Sequence, residues 1–217
     1  MDSSERLKKI GESSDLHEVR RQMANSYTLL RSIIRRSAES ATSLESYAWH
    51  LEGRIDVIGR VLSAVMRDPR VRFDLRQLIA DELHDQGAGD GPHAWSLEGP
   101  AVKIGAAAAE VLALLFHELI TNSVEHGVLG MAERGELRVV WWIEEGDGEG
   151  RLRLDWTERG APAVLAREGF GTMVLEGMLR YQLEGAATRR LGPEGVQISL
   201  TLPMRCLAQE EAAVAER

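Results

Sequence analysis

Apolar side chains recur at spacings of three and four along the start of the chain, at Leu16, Val19, Met23, Tyr27, Leu30 and Ile34. That period predicts a helix with one apolar stripe ending near Ala38. A stretch of small polar residues from Ser37 to Ser43 reads as a turn. Ser43 can cap a second helix, whose stripe runs through Leu44, Tyr47, Leu51, Ile55, Ile58, Leu62 and Val65 and stops before Pro69. Two striped helices joined tightly make an antiparallel hairpin. A lone hairpin buries two stripes poorly, so two copies are expected to pair as a dimeric four-helix bundle.

The pattern then changes. Phe73 to Leu83 reads as a shorter helix, and the Gly- and Asp-rich run Asp85 to Gly91 as a hinge. Ala94 to Leu97 reads as a short strand. From about residue 105 to 126 apolar residues fall on nearly every face, which marks a buried helix. Alternation returns at Glu136 to Glu144 and Arg151 to Thr157, then at Ala186 to Leu191 and Val196 to Leu202, with a helix from about Gly171 to Leu183 between the pairs. The expected organisation is a flexible segment over 1–14, a helical hairpin over 15–84, a mixed unit over 92–204 and an acidic tail over 205–217. The fold class is α+β: the hairpin, followed by a two-layer α/β sandwich. Trp141 and Trp142 are consecutive in a strand and must point to opposite faces. One belongs to the core, and a boundary between the two units is the expected home of the other.

Composition narrows the class. The 217 residues are 44% hydrophobic and 28% charged, with a net charge of -8. That is the balance of a globular protein, and its sign disfavours nucleic acid as a partner. No apolar run approaches 18 uncharged residues, so no membrane contact is expected. Met1-Asp2-Ser3-Ser4-Glu5 is not a signal peptide. Cys206 is a single cysteine and cannot form an internal disulfide, which fits a reducing, cytoplasmic setting. His50, His84, His93 and His126 have no metal-ligand spacing.

The candidate chemistry sits on the buried helix, in Phe116-His117-Glu118-Leu119-Ile120-Thr121-Asn122. Glu118 and Asn122 are four apart and share one helix face. Their oxygens suit a hydrated magnesium ion carrying phosphates. From the spacing alone, an Asn that caps a neighbouring loop is the favoured reading. Further on, Trp156-Thr157-Glu158-Arg159-Gly160 ends a strand. Gly169-Phe170-Gly171-Thr172 opens a helix, where free N–H groups favour phosphate.

Together these residues resemble the HWE subfamily of histidine kinases. His117-Glu118-Leu119-x-x-Asn122 is similar to its N-box, Trp156-Thr157-Glu158 to its Trp-x-Glu, and Gly169 to Thr172 to the Gly-rich segment that follows. The resemblance extends over about residues 15 to 204 and implies a sandwich of the histidine-kinase ATPase type. It also implies ATP with Mg²⁺, held by Glu118, Asn122, Glu158, Gly160, Gly169, Gly171 and Thr172. Asn122 is the expected metal contact, Glu118 a catalytic group, and Glu158 the acceptor for the adenine amino group.

Three positions depart from the family pattern. Aligned without gaps, Arg21 stands where the first helix carries the phosphoacceptor His, and a guanidinium cannot attack ATP. His17 lies one turn earlier, about 6 Å away along the helix. Glu125 replaces a Lys that meets the phosphates, and Met173 replaces an Arg. Three readings stay open. In the leading one the chain is a degenerate two-component protein, a pseudokinase without its own sensor. It acts by dimerising and by docking a response-regulator receiver domain or a related kinase, with Arg20 and Arg21 as docking contacts. In the second it is an active protein-histidine kinase that autophosphorylates His17. In the third it shuttles phosphate through His17 without ATP.

Overall fold

The computed structural model describes residues 3–88, 94–131, 135–145, 150–160, 171, 177–192 and 195–207, and of 3–19, 22 and 40 the backbone alone. The chain divides into two compact units, Met1–Val71 and Arg72–Arg217.

The first unit is a helical hairpin. Helix α1 covers Ser3–Ser40, so it runs through most of the segment expected to be flexible. Residues 3–14 contain no proline, and their Glu, Arg and Lys side chains are good helix formers. Helix α2 covers Leu44–Arg67. Its N-cap is Ser43, whose hydroxyl accepts from the Ser46 N–H at 3.1 Å. It ends at Asp68, one residue before Pro69. Leu29 and Ile33 of α1 and Val57, Ile58, Val61 and Val65 of α2 are buried. Met23, Tyr27 and Ile34, three members of the stripe read from the sequence, are exposed instead. Helix α1 carries adjacent apolar pairs, Leu29-Leu30 and Ile33-Ile34, and within the hairpin the first of each is buried most completely. Arg54 is also buried, and its guanidinium donates to Ser37 Oγ at 2.7 Å.

The second unit begins with strand β1, Phe73–Asp74, and helix α3, Leu75–Asp85. Asp74 caps α3 by accepting from the Gln77 N–H at 3.1 Å. Strands β2, Ala94–Glu98, and β3, Lys103–Ile104, precede helix α4, Ala106–His126. Strands β4, Glu136–Glu144, and β5, Arg151–Arg159, follow, then helix α5, Leu179–Leu183, and strands β6, Ala186–Gly192, and β7, Gly195–Pro203. The main sheet has the order β2-β4-β5-β7-β6, with β2 parallel to β4 and the other pairs antiparallel. A small second sheet pairs β1 with β3.

Alternation in β4 and β5 gives the main sheet one dry face, lined by Leu137, Val139, Trp141, Leu152, Leu154 and Trp156. The helical layer covers that face, and α4 is apolar on nearly every side, with His117 and Glu118 buried among its apolar residues. This helix is long and apolar enough to cross a membrane, yet 83% of its apolar window is buried inside the protein. Trp141 is the core tryptophan, its indole N–H donating to the Pro100 carbonyl at 2.9 Å, whereas Trp142 is 40% exposed.

Two boundaries differ from the sequence expectation. Helix α3 belongs to the second unit, because the division falls after Val71 rather than near residue 84. The start of the expected tail is also anchored: Leu207 bridges to Ile104, and the Cys206 carbonyl accepts from the Gly105 N–H. Of the helix expected from Gly171, residues 172–176 lie outside the described residues. So do 208–217 of the tail, and residues 146–149 and 193–194 between paired strands.

Candidate functional site

Helix α4 carries most of the candidate site. On a helix this deeply buried, Thr121 Oγ1 has no hydrogen-bond partner among the described residues, but a larger polar side chain must find its partner internally. His117, 5% exposed, does so with Glu82 of α3, 3% exposed, through a contact of 2.7 Å between Nδ1 and Oε1. Gln86 Nε2 lies 3.5 Å from His117 Nδ1 and donates to Glu82 Oε1 at 3.4 Å. The pair ties α3 to α4 immediately beside Glu118.

One turn toward the C-terminus of α4, Glu118 and Asn122 converge on Gly171. A Cβ on that glycine would stand 3.3 Å from Asn122 Nδ2 and 3.6 Å from Glu118 Cβ. The backbone at 171 therefore passes directly over both side chains. Glu118 is buried, and Asn122 opens to solvent. Oxygen donors at such a rim suit a hard cation. Among the described residues no group of three or more His, Cys, Asp or Glu side chains could hold a metal. Asn122 and Glu118 are the side chains there that could offer oxygens to such a cation.

Glu158 approaches the same end of α4 from the sheet. Trp156 and Glu158 are two apart on β5 and point to one face. The Trp156 indole N–H donates to Glu158 Oε1 at 2.9 Å, and the backbone N–H of Val128 donates to Oε2 at 3.2 Å. Val128 opens the short 3-10 turn that follows α4. The same junction is held by Ser123, whose Oγ accepts from the Leu129 N–H at 3.3 Å. Gly127 is required there by space: a Cβ would sit 2.2 Å from Glu158 Oε2 and 2.8 Å from Ser123 Cα. Gly160 just past β5 has φ +93, a left-handed backbone that suits glycine.

The structure thus brings Glu118, Asn122 and Gly171 together and sets Glu158 against the loop that leaves the same helix. Gly169 and Thr172 lie outside the described residues. Arg20 and Arg21 are exposed on α1, and His17 lies on the same helix, described by its backbone alone. Glu125 is exposed near the end of α4, with its Oε2 3.6 Å from His126 Nε2. Sequence reasoning missed Glu82, Gln86, Gly127 and Val128. The one available signal was His117 itself, since a histidine on an all-apolar helix calls for a buried partner.

Residues 18–101 match the family model described as HWE histidine kinase. The chain is homologous to blue-light-activated histidine kinases. It is 29% identical over 190 residues to that of Rhizobium johnstonii, covering 87% of this chain and 52% of the relative. It is 26% identical over 197 residues to blue-light-activated histidine kinase 1 of Erythrobacter litoralis, covering 86% and 52%. The chain spans about half the length of these relatives. Among solved structures it resembles the Erythrobacter litoralis EL346 blue-light activated histidine kinase, with a TM-score of 0.58 and 15% identity over 86% of this chain and 60% of that one. The histidine kinase domain of the same protein gives 0.55 and 16%, over 80% and 95%. At such identities the structural likeness concerns the fold: the mixed sheet and helical layer are those of histidine-kinase ATPase domains.

Proposed function

We propose that this homologue of the HWE histidine kinases is a two-component signalling protein that works by binding, with phosphoryl transfer weakened or lost. It dimerises through the hairpin, holds Mg²⁺ with ATP or ADP at the C-terminal end of α4, and docks a response-regulator receiver domain or a related kinase against α1. The observation that carries the nucleotide part is the meeting of Glu118, Asn122 and Gly171, with the Glu158 carboxylate held beside the same helix end. Gly160 and the segment from Gly169 to Thr172 complete the site by resemblance. The loss of transfer rests on chemistry: Arg21 stands at the aligned phosphoacceptor position, and Glu125 and Met173 stand where two cations are expected.

Dimerisation is supported by the apolar side chains that the hairpin leaves exposed, among them Met23, Tyr27, Ile34 and Trp49. Receiver docking is supported by the exposure of Arg20 and Arg21, since an acidic phosphorylation pocket would accept charge-assisted hydrogen bonds from guanidinium groups. Calorimetric titration tests both parts. Mg·ADP is expected to bind the wild type and to lose about tenfold or more in affinity in Asn122→Ala. A receiver domain is expected to lose affinity in the Arg20→Ala/Arg21→Ala variant. Absence of nucleotide binding removes the first part, and unchanged receiver affinity removes the second.

One feature favours a second reading, an active kinase. His117, Trp156 and Glu158 are all present, and His17 lies one turn from Arg21 on the same helix. A near-attack geometry tolerates little displacement, so this reading requires α1 to present His17 in place of residue 21.

A further inference from the structure

We propose that Trp156 is a positioning residue for nucleotide recognition: its indole N–H fixes the orientation of the Glu158 carboxylate and so sets the preference for adenine over guanine. This rests on the reading that Glu158 meets an adenine amino group.

Trp156 is fully buried, and its N–H cannot reach water. A buried indole N–H requires an acceptor, and here that acceptor is Glu158 Oε1 at 2.9 Å. The other carboxylate oxygen takes the Val128 N–H at 3.2 Å. Two donors arriving from two different elements leave the carboxylate one orientation. A glutamate held at one oxygen alone keeps rotamer freedom at its outer torsions. An ionised carboxylate offers about four lone-pair sites, and two are used. What remains is acceptor only. That pairs with the amino group of adenine and repels the oxo group that guanine carries at the same ring position.

The geometry also explains why a tryptophan fits here better than another large apolar residue. A phenylalanine at 156 would fill the core but leave Glu158 Oε1 without its donor. The carboxylate would then be held by the Val128 N–H alone and free to turn away from the base.

The test compares Mg·ADP and Mg·GDP binding to wild type and Trp156→Phe by calorimetry. It is combined with ¹H–¹⁵N spectra of the five tryptophan indoles, in which the Phe variant identifies the Trp156 peak. The expected results are a roughly tenfold loss of ADP affinity and a smaller loss for GDP, so that the ADP:GDP preference shrinks. The Trp156 indole peak is expected to move in the wild type on saturation with Mg·ADP, and also in Glu158→Gln. A purely structural tryptophan would weaken both nucleotides alike, and an unchanged ADP:GDP ratio in a folded Trp156→Phe overturns the proposal. If that variant does not fold, the wild-type spectrum decides: an indole peak that stays in place while calorimetry records ADP binding overturns it equally. If the wild type binds no Mg·ADP, the nucleotide reading fails and the role of Trp156 falls with it. That outcome is distinct from binding without a Trp156 effect.

Discussion

His117 Nδ1 and Glu82 Oε1 meet 2.7 Å apart inside the core, joining two helices across 35 residues of chain. One member is the histidine of the family-like motif. The other lies on a helix that sequence reasoning assigned to the neighbouring unit. The motif histidine therefore acts here through a structural contact, holding α3 against the helix that carries Glu118 and Asn122.

Removing His117 takes from the buried Glu82 its shorter contact and leaves it the longer one from Gln86 Nε2. His117→Ala is expected to cost about 1–3 kcal/mol in urea unfolding, the usual penalty for removing one partner of a buried hydrogen bond. The double variant His117→Leu/Glu82→Leu should recover most of that loss, because matched apolar groups remove both members of the buried hydrogen bond together. A double variant as unstable as the single one would mean that the pair contributes only through packing.

Gly127→Ala places a methyl group where Glu158 Oε2 already stands. Either the carboxylate or the junction after α4 must shift, and overpacking of this kind typically costs about 1–3 kcal/mol. The expected outcome is a lower melting temperature together with weaker Mg·ADP binding. A variant with wild-type stability would show that the junction yields freely.

Asp74 gives a pH-dependent prediction. Burial works to raise its pKa, but the backbone N–H groups of Gln77 and Arg76 and the Lys103 ammonium outweigh this and hold the carboxyl below its ordinary value. A depressed folded-state pKa contributes stability above the unfolded-state value and loses it as pH falls through the folded one. Asp74→Ala should therefore cost about 1 kcal/mol near neutral pH, the usual worth of an N-cap. The gap to wild type should close as the solution is acidified into the carboxylate range. A gap independent of pH would assign the effect to backbone propensity instead.

Cys206 is the opposite case. Burial pushes its thiol pKa up, Arg205 works to lower it and Glu184 adds to the rise. The thiolate is the reactive form. Native protein should react with a thiol reagent at mildly alkaline pH much more slowly than urea-unfolded protein. Equal rates would place Cys206 at the surface.

Much of the fold was legible because its signals are local. The period-two alternation around Trp141 and Trp156 marks the strands, and the saturation of residues 105–126 with apolar side chains marks the buried helix. The face of α1 that packs within the hairpin was not legible, since Leu29 and Leu30 satisfy the same period and only packing chooses between them. The placement of α3 in the second unit shows in long-range contacts such as that of Glu82 with His117, which no local pattern encodes. Glu118, Asn122 and Gly171, which the structure brings together, were singled out in the sequence through motif order. The hold of Trp156 and Val128 on Glu158 was not, because one of its donors is a backbone N–H set by tertiary placement.

The central claim is that this chain binds nucleotide and partner without phosphorylating itself. The most direct measurement incubates wild type and His17→Ala with γ-labelled Mg·ATP beside an active related kinase, then asks whether protein-bound label is acid-labile. The account predicts no label on either form of this protein while the control becomes labelled. Acid-labile label on the wild type that disappears in His17→Ala would contradict it and establish a kinase that uses a displaced histidine.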